Sequence, residues 1–92
     1  MIVRILTEGQ LRLPDSAIDE LNALDDKLLG ACQSKDEAAF ATALTTLLDR
    51  VRELGEPLPL EELAESDVIL PMGDATIDEV ERMMADDGLI PG

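Results

Sequence analysis

The chain opens with two short segments in which apolar and polar side chains alternate, as they do in a β-hairpin. The segments are Ile2–Leu6 and Gln10–Leu13. Between them, Thr7-Glu8-Gly9 fits a three-residue loop, whose last position commonly needs the positive φ that glycine adopts without steric cost. The two-residue period places four apolar side chains on the inner face, namely Val3, Ile5, Leu11 and Leu13.

Two longer segments repeat apolar residues every three or four positions and therefore predict amphipathic helices. The first begins at Asp15, where Ser16 can act as the N-cap, and ends near Gln33. Its predicted apolar stripe consists of Ala17, Leu21, Leu24, Leu28 and Ala31, with Ile18 and Cys32 beside it.

The second helix is predicted to run from Lys35 to about Leu54. Ser34 and Glu37 have the spacing of a capping box, and Gly55 fits the left-handed position that follows many helices. Because the connection between the two helices is so short, they should pack as an antiparallel helical hairpin.

The last third of the chain predicts a short strand and a final helix. Leu60–Leu63 could form one helical turn, and Asp67–Pro71 has the composition of a third strand or of an unpaired extended segment. Thr76 and Glu79 form a capping box at the start of a helix that is expected to end with Gly88 as its C′ residue. Two apolar residues beyond it are placed to fold back onto the body, Leu89 and Ile90.

Together these elements predict one small α+β domain over residues 1–92. The chain has no histidine and a single cysteine, which excludes an imidazole base, a Cys–His nucleophile pair, an intrachain disulfide and a cysteine-based zinc site. Adjacent acids on a helix point about 100° apart, so the acid pairs of this chain do not converge on one proton. We expect no catalytic residues, no metal site and no cofactor.

The charge is strongly negative and unevenly distributed. The chain has 21 acidic and 7 basic residues, a net charge of −14, and residues 53–92 contain Arg82 as their single base. Such a field repels nucleic acid and anionic lipid headgroups, and it speeds the encounter with a basic protein. Solubility or adaptation to a salty cytoplasm would account for the same excess of acids.

The sequence also predicts where the protein acts. No apolar run approaches the roughly 18 residues of a membrane-spanning helix. The N-terminal segment, Met1–Leu6, is too short and too soon interrupted by a charge for a signal peptide. We therefore expect a cytoplasmic protein that does not insert into a membrane.

The hairpin supplies the first candidate contact residues. Arg4 and Arg12 fall together on its outer face, where like charges repel unless an acid lies between them. They could pair with Glu8 or with the acidic C-terminal half. Alternatively, they could contact a protein partner, with Ile2 and Leu6 as the apolar part of that surface.

Two further features could take part in protein contacts. Met83 and Met84, in the last helix, could be core residues or part of an adaptable binding surface. An uncovered edge of the hairpin could pair with a second copy of the chain or with a partner strand.

Six segments carry a family resemblance through their order and spacing: Met1–Ile5, Gly9–Leu13, Leu21–Asp26, Ser66–Pro71, Asp74–Thr76 and Gly88–Gly92. Together they span nearly the whole chain. They resemble the PspA-associated protein family, PspAA.

This resemblance implies a small accessory or regulatory protein, not an enzyme. It implies a phage shock protein A homologue as the partner, which is a coiled-coil, membrane-remodelling protein of the envelope stress response. The alternative is a structural module that forms a homodimer through the hairpin edge.

Overall fold

The structure is a computed structural model that describes residues 1–59, 62, 64–84 and 88–90. It is of the α+β class, as predicted. In chain order the elements are β1 (Ile2–Ile5), β2 (Gly9–Arg12), a 3₁₀ turn (Asp15–Ala17), α1 (Ile18–Ser34), α2 (Glu37–Leu54), β3 (Glu56–Pro57), β4 (Val68–Leu70) and α3 (Ile77–Met83). The helical turn predicted at Leu60–Leu63 lies, except for Glu62, outside the described residues.

The four strands form one sheet in the order β3-β2-β1-β4. The predicted hairpin is confirmed, since β1 and β2 are antiparallel with Val3 opposite Leu11. The predicted third strand is also confirmed: β4 runs parallel to β1 and places Val68 opposite Val3. The short strand β3 was not predicted, and it pairs with the other side of β2.

The hairpin loop uses two residues with positive φ. Gly9 has a φ of 108°, as predicted, but Thr7 also has a positive φ, of 75°. The amide of Glu8 donates a hydrogen bond to the carbonyl of Ile5 at 2.9 Å and closes the turn. A β-branched residue with positive φ is uncommon, so this loop holds local strain that the sequence pattern did not indicate.

The two long helices pack against each other as an antiparallel pair. Arg50, near the end of α2, forms an ion pair with Glu20, near the start of α1, as expected for helices that run in opposite directions. The inner face of the sheet and the helices share one core, in which the largest fully buried apolar side chains are Val3, Ile5, Leu21, Leu28, Leu44, Leu47, Leu48, Val51, Leu70, Val80 and Ile90.

The junction between α1 and α2 differs from the prediction. Ser34 is the last residue of α1, and Lys35 adopts the left-handed conformation with a φ of 57°. Asp36 is therefore the N-cap of α2, and its carboxylate accepts a hydrogen bond from the Ala39 amide at 3.1 Å. The predicted capping box from Ser34 to Glu37 is wrong because the serine is already used within the preceding helix.

Two other helix ends also correct the predictions. No side chain caps the start of α1, so Ser16 is not its N-cap. Gly55 is extended, with a φ of −91°, so it is not a left-handed C′ residue. Glycine is needed there because a Cβ would lie 2.9 Å from the Cβ of Leu11. By contrast, the capping box of Thr76 and Glu79 at the start of α3 is confirmed.

The C-terminal segment folds back onto α1 through a buried carboxyl group. Leu89 and Ile90 are 9% and 2% exposed, as predicted, and Asp25 is only 1% exposed. The Asp25 Oδ1 and Oδ2 atoms accept hydrogen bonds from the backbone amides of Leu89 at 3.1 Å and Ile90 at 2.9 Å. Gly88 has a φ of 99°, but α3 already ends at Met83, so Gly88 is not its C′ residue.

Candidate protein-binding surface

The outer face of the sheet brings together most of the predicted contact residues. In β1 the inward side chains are Val3 and Ile5, so Arg4 points outward and is exposed. Arg4 lies between two neighbours on adjacent strands, Gln10 of β2 and Ile69 of β4. Ile69 is 49% exposed and is the exposed large apolar side chain of the described chain. The predicted apolar residues of this face, Ile2 and Leu6, are half-buried.

The chain after β3 covers the β2 side of this face. The Gln10 side-chain amide donates hydrogen bonds to the Ala64 carbonyl at 2.8 Å and to Ser66 Oγ at 2.9 Å. Arg12 donates from Nη2 to Glu62 Oε1 at 3.0 Å. Arg12 thus pairs with the acidic C-terminal half, which was one of the two alternatives from the sequence. The exposed surface that remains beside it is centred on Arg4 and Ile69.

The ion pairs distinguish Arg4 from most other basic residues. Among the described residues, four of the seven bases contact carboxylates, in the pairs Arg12–Glu62, Lys35–Glu81, Arg50–Glu20 and Arg52–Glu8. Glu8, a predicted partner of Arg4, is therefore bound by Arg52. Within the described parts of the chain, Arg4, Lys27 and Arg82 form no ion pair.

The two methionines of the last helix are not part of this surface. Met83 and Met84 are half-buried and pack against the core. Met83 is the last residue of α3 and Met84 is its C-cap, and α3 has its main tertiary contacts with α1. Of the two interpretations that the sequence left open, the structure favours core packing.

A groove between α1 and α2 is a surface that the sequence did not reveal. It has a volume of about 490 Å³ and is lined mainly by small side chains: Leu24, Lys27, Ala38, Ala39, Thr42, Ala43 and Thr46. The residues that line it supply one cation, Lys27, and two hydroxyl groups, from Thr42 and Thr46, but no acid. In the described ranges, no three metal-ligating side chains come together, and no helix has the length and hydropathy to cross a membrane.

Comparison with known proteins places this surface in a family context. A model of the PspA-associated proteins matches residues 1–92, which is the whole chain. The chain belongs to the PspA-associated protein family. No curated protein and no solved structure matches it. The family description links this PspA-associated protein to PspA, so a protein-contact surface is the feature of most interest.

In this PspA-associated protein, two ion pairs at the helices stabilise the scaffold behind the surface. Arg52 of α2 donates from Nε to Glu8 of the hairpin loop at 2.8 Å, and Arg50 donates to Glu20 of α1. These hydrogen bonds from the guanidinium groups lower the pKa of Glu8 and of Glu20 below the ordinary value of 4.5. The first pair ties the hairpin loop to α2, and the second ties the two helices together.

Each of these pKa values should depend on one arginine. In an Arg52→Gln variant, we expect the pKa of Glu8 to rise toward 4.5, while that of Glu20 stays lowered because Arg50 is unchanged. Carboxyl-carbon NMR titration measures both, and Arg50→Gln is the reciprocal control. Since both folded-state pKa values are lowered, the pairs stabilise the fold above pH 4.5, and that contribution is lost as the pH falls through them. Unshifted pKa values in the wild type would contradict the two pairs.

Proposed function

We propose that this protein is a non-enzymatic accessory protein that binds a phage shock protein A homologue in the cytoplasm, as part of the envelope stress response. The observation that carries the proposal is the family match over the whole chain, because the family is described by its association with PspA. The outer face of the sheet supplies the contact surface, through Ile2, Arg4 and Leu6, with Arg12 at its border.

The charge of the chain supports a partner that is basic where it approaches. A net charge of −14 produces a negative field that accelerates encounter with a positive surface. Proteins that act at anionic membranes usually display such basic surface, since they are attracted by the lipid headgroups. A membrane-remodelling partner therefore fits the charge, whereas direct binding of this chain to anionic lipid or nucleic acid does not.

The sheet order favours this function over self-assembly through the hairpin edge. Both strands of the hairpin have a neighbour on their outer side, since β3 pairs with β2 and β4 pairs with β1. A second copy would have to displace one of these strands in order to pair with the hairpin itself. Neither β1 nor β2 therefore has an edge that is free along its whole length for pairing in a homodimer.

The proposal is tested by the salt dependence of binding. Purified wild-type protein and a purified phage shock protein A homologue are mixed at ionic strengths of about 0.1 M and 1 M, and Kd is measured by calorimetry. The Debye length falls from about 10 Å to 3 Å over this range, so we expect affinity to weaken about tenfold or more.

Two outcomes would count against the proposal in different ways. An absence of binding at low salt would overturn the function itself. Equal affinity at the two ionic strengths would keep the function but exclude the acidic field as its driving force. A circular dichroism spectrum at each salt concentration serves as the control for folding.

A further inference from the structure

We infer that Arg4 and Ile69 together form the centre of the contact surface, and that the partner presents an Asp or Glu carboxylate next to an apolar side chain. This inference rests on the proposed function and goes beyond it by naming the pair of residues and the chemistry that they recognise. It also adds Ile69, which lies in the segment that the sequence predicted as a third strand and which was not among the predicted contact residues.

The first support is the register of the sheet. Arg4 and Ile69 are opposite one another on the paired strands β1 and β4. Neighbouring strands lie about 4.8 Å apart, so the two side chains emerge side by side from the same face. A short segment of a partner can therefore contact both at once. The flanking Ile2 and Leu6 are half-buried and extend the apolar part of the surface.

The second support is the exposure of Ile69. Among the residues that the structure describes, it is the large apolar side chain that remains exposed, at 49%. Its neighbours along β4, Val68 and Leu70, are buried in the core, which leaves Ile69 as the outward residue of this strand. Burying such a side chain against a partner is favourable because it removes apolar area from water.

The third support is the position of an uncommitted guanidinium in an acidic chain. The chain has 21 acids, yet none of those in the described ranges forms an ion pair with Arg4. The adjacent Gln10 uses its amide nitrogen on Ala64 and Ser66. Arg4 lines a shallow groove with Glu62 and Glu65 but forms no ion pair with either of them. Its N–H donors, in the planar arrangement that matches a carboxylate, are therefore open to an acidic side chain of a partner.

Two other cations, Lys27 and Arg82, also form no ion pair with the acids that the structure describes. Lys27 lies on α1 beside the groove, and Arg82 lies on α3. Neither is paired across strands with Ile69, the exposed apolar residue of the described chain. Within the described part of the chain, Arg4 is thus the guanidinium that forms no ion pair and is also in register with an exposed apolar side chain.

The charge of the chain favours a different protein, and not a second copy, as the partner that binds this surface. Two copies of this chain, each with a net charge of −14, repel one another at long range. A partner that is basic overall avoids that repulsion, and a single carboxylate on its contact strip still pairs with Arg4 at short range. At physiological ionic strength the Debye length is about 8 Å, so the local pair and the long-range attraction act over different distances.

The test compares two charge reversals that change the net charge equally. Arg4→Glu and Arg82→Glu each take the chain from −14 to −16, because each replaces one positive charge by one negative charge. We expect Arg4→Glu to raise the Kd for the phage shock protein A homologue by about 30-fold or more, and Arg82→Glu by less than about threefold. Both side chains are exposed, so both variants should fold, which circular dichroism verifies.

Ile69→Thr tests the apolar half of the surface. Threonine keeps the β-branched shape that suits a strand but loses apolar area, and we expect the Kd to rise by about five- to tenfold. The matched control is Thr45→Ser on the exposed face of α2, which should leave the Kd unchanged. Replacing the partner's contacting Asp or Glu by Lys should restore the binding of Arg4→Glu.

The outcomes separate this inference from the proposed function. If the wild type binds but Arg4→Glu and Arg82→Glu weaken binding equally, the inference is wrong and only net charge matters. If light scattering shows a wild-type dimer that Arg4→Glu dissociates, the occupant is a second copy and the inference is equally overturned. If the wild type does not bind the homologue at all, the proposed function fails and this inference fails with it.

Discussion

Replacing Asp25 by alanine is expected to lower the free energy of unfolding by about 3 kcal/mol, a large fraction of the stability of a domain of this size. The Asp25 carboxyl group is buried and accepts hydrogen bonds from the amides of Leu89 and Ile90. Alanine leaves both amides without this acceptor, and each unsatisfied buried donor costs about 1–3 kcal/mol. Asp25→Asn should be destabilising as well, because its NH₂ group would face an N–H donor.

Asp26→Ala provides the matched control for this prediction. Asp26 is the next residue of α1 and is exposed, so its replacement should change stability by less than about 0.5 kcal/mol. Urea denaturation followed by circular dichroism gives both values. Equal stability of the Asp25→Ala and Asp26→Ala variants would show that the C-terminal segment is not held by this carboxyl group.

Alanine substitutions at two glycines should shift stability in opposite directions. A Cβ at Gly88 would lie 2.5 Å from the Asp25 Oδ2 atom, and Gly88 has a φ of 99°. Gly88→Ala should therefore lower the free energy of unfolding by about 2–4 kcal/mol, through the clash and the strained backbone. Gly30 lies inside α1, where a Cβ meets nothing within 4 Å. Gly30→Ala should raise stability by roughly 0.5–1 kcal/mol.

Thermal denaturation of the two variants measures this difference directly. The expected result is a lower Tm for Gly88→Ala and a higher Tm for Gly30→Ala than for the wild type. A Gly88→Ala variant as stable as the wild type would mean that the segment is free to move away from Asp25.

The elements that the sequence predicted best are those specified by nearby residues. The hairpin follows from a period of two with Gly9 at its loop, and the helical hairpin follows from apolar repeats with a short turn. The capping box of α3 uses Thr76 and Glu79, which are three residues apart. Each of these signals requires only neighbours along the chain, so a single sequence contains all the information.

The predictions failed where two nearby residues could serve as the same helix cap, or where the decisive contact comes from a residue far away in the sequence. Ser34 and Asp36 are both good helix caps, and only the path of the chain at Lys35 selects the aspartate. Gly55 is required by contact with Leu11, which lies 44 residues earlier. The strand β3 has two residues and contains Pro57, so it carries no strand pattern of its own.

The burial of Asp25 has a partial signal in the sequence. It lies four residues after Leu21 and three before Leu28, and therefore falls on the apolar stripe of α1. An acid in that position needs hydrogen-bond donors. Its donors are backbone amides more than 60 residues away, which no side-chain pattern identifies.

The candidate site was predicted in part. Arg4 follows from the period of β1, and the same period applied to Val68 and Leu70 would have placed Ile69 outward. The sequence does not show that Arg12 forms an ion pair while Arg4 does not. The pairing of Arg12 with Glu62 depends on the path of the chain after β3. Met83 and Met84 fitted either a core or a binding surface by sequence, and the structure shows both packed against the core.

The parallel pairing of β1 with β4 has a consequence for folding during synthesis. Val3 pairs with Val68, which is synthesised 65 residues later. Asp25 accepts hydrogen bonds from the amides of Leu89 and Ile90, which are synthesised later still. Contacts so far apart in sequence slow folding, because the entropy cost of closing the intervening loop comes before the contacts can stabilise the fold. On the ribosome, the nascent chain can form its helical hairpin early. Its sheet can be completed only once Leu70 has emerged, and the hydrogen bonds to Asp25 only once Ile90 has emerged.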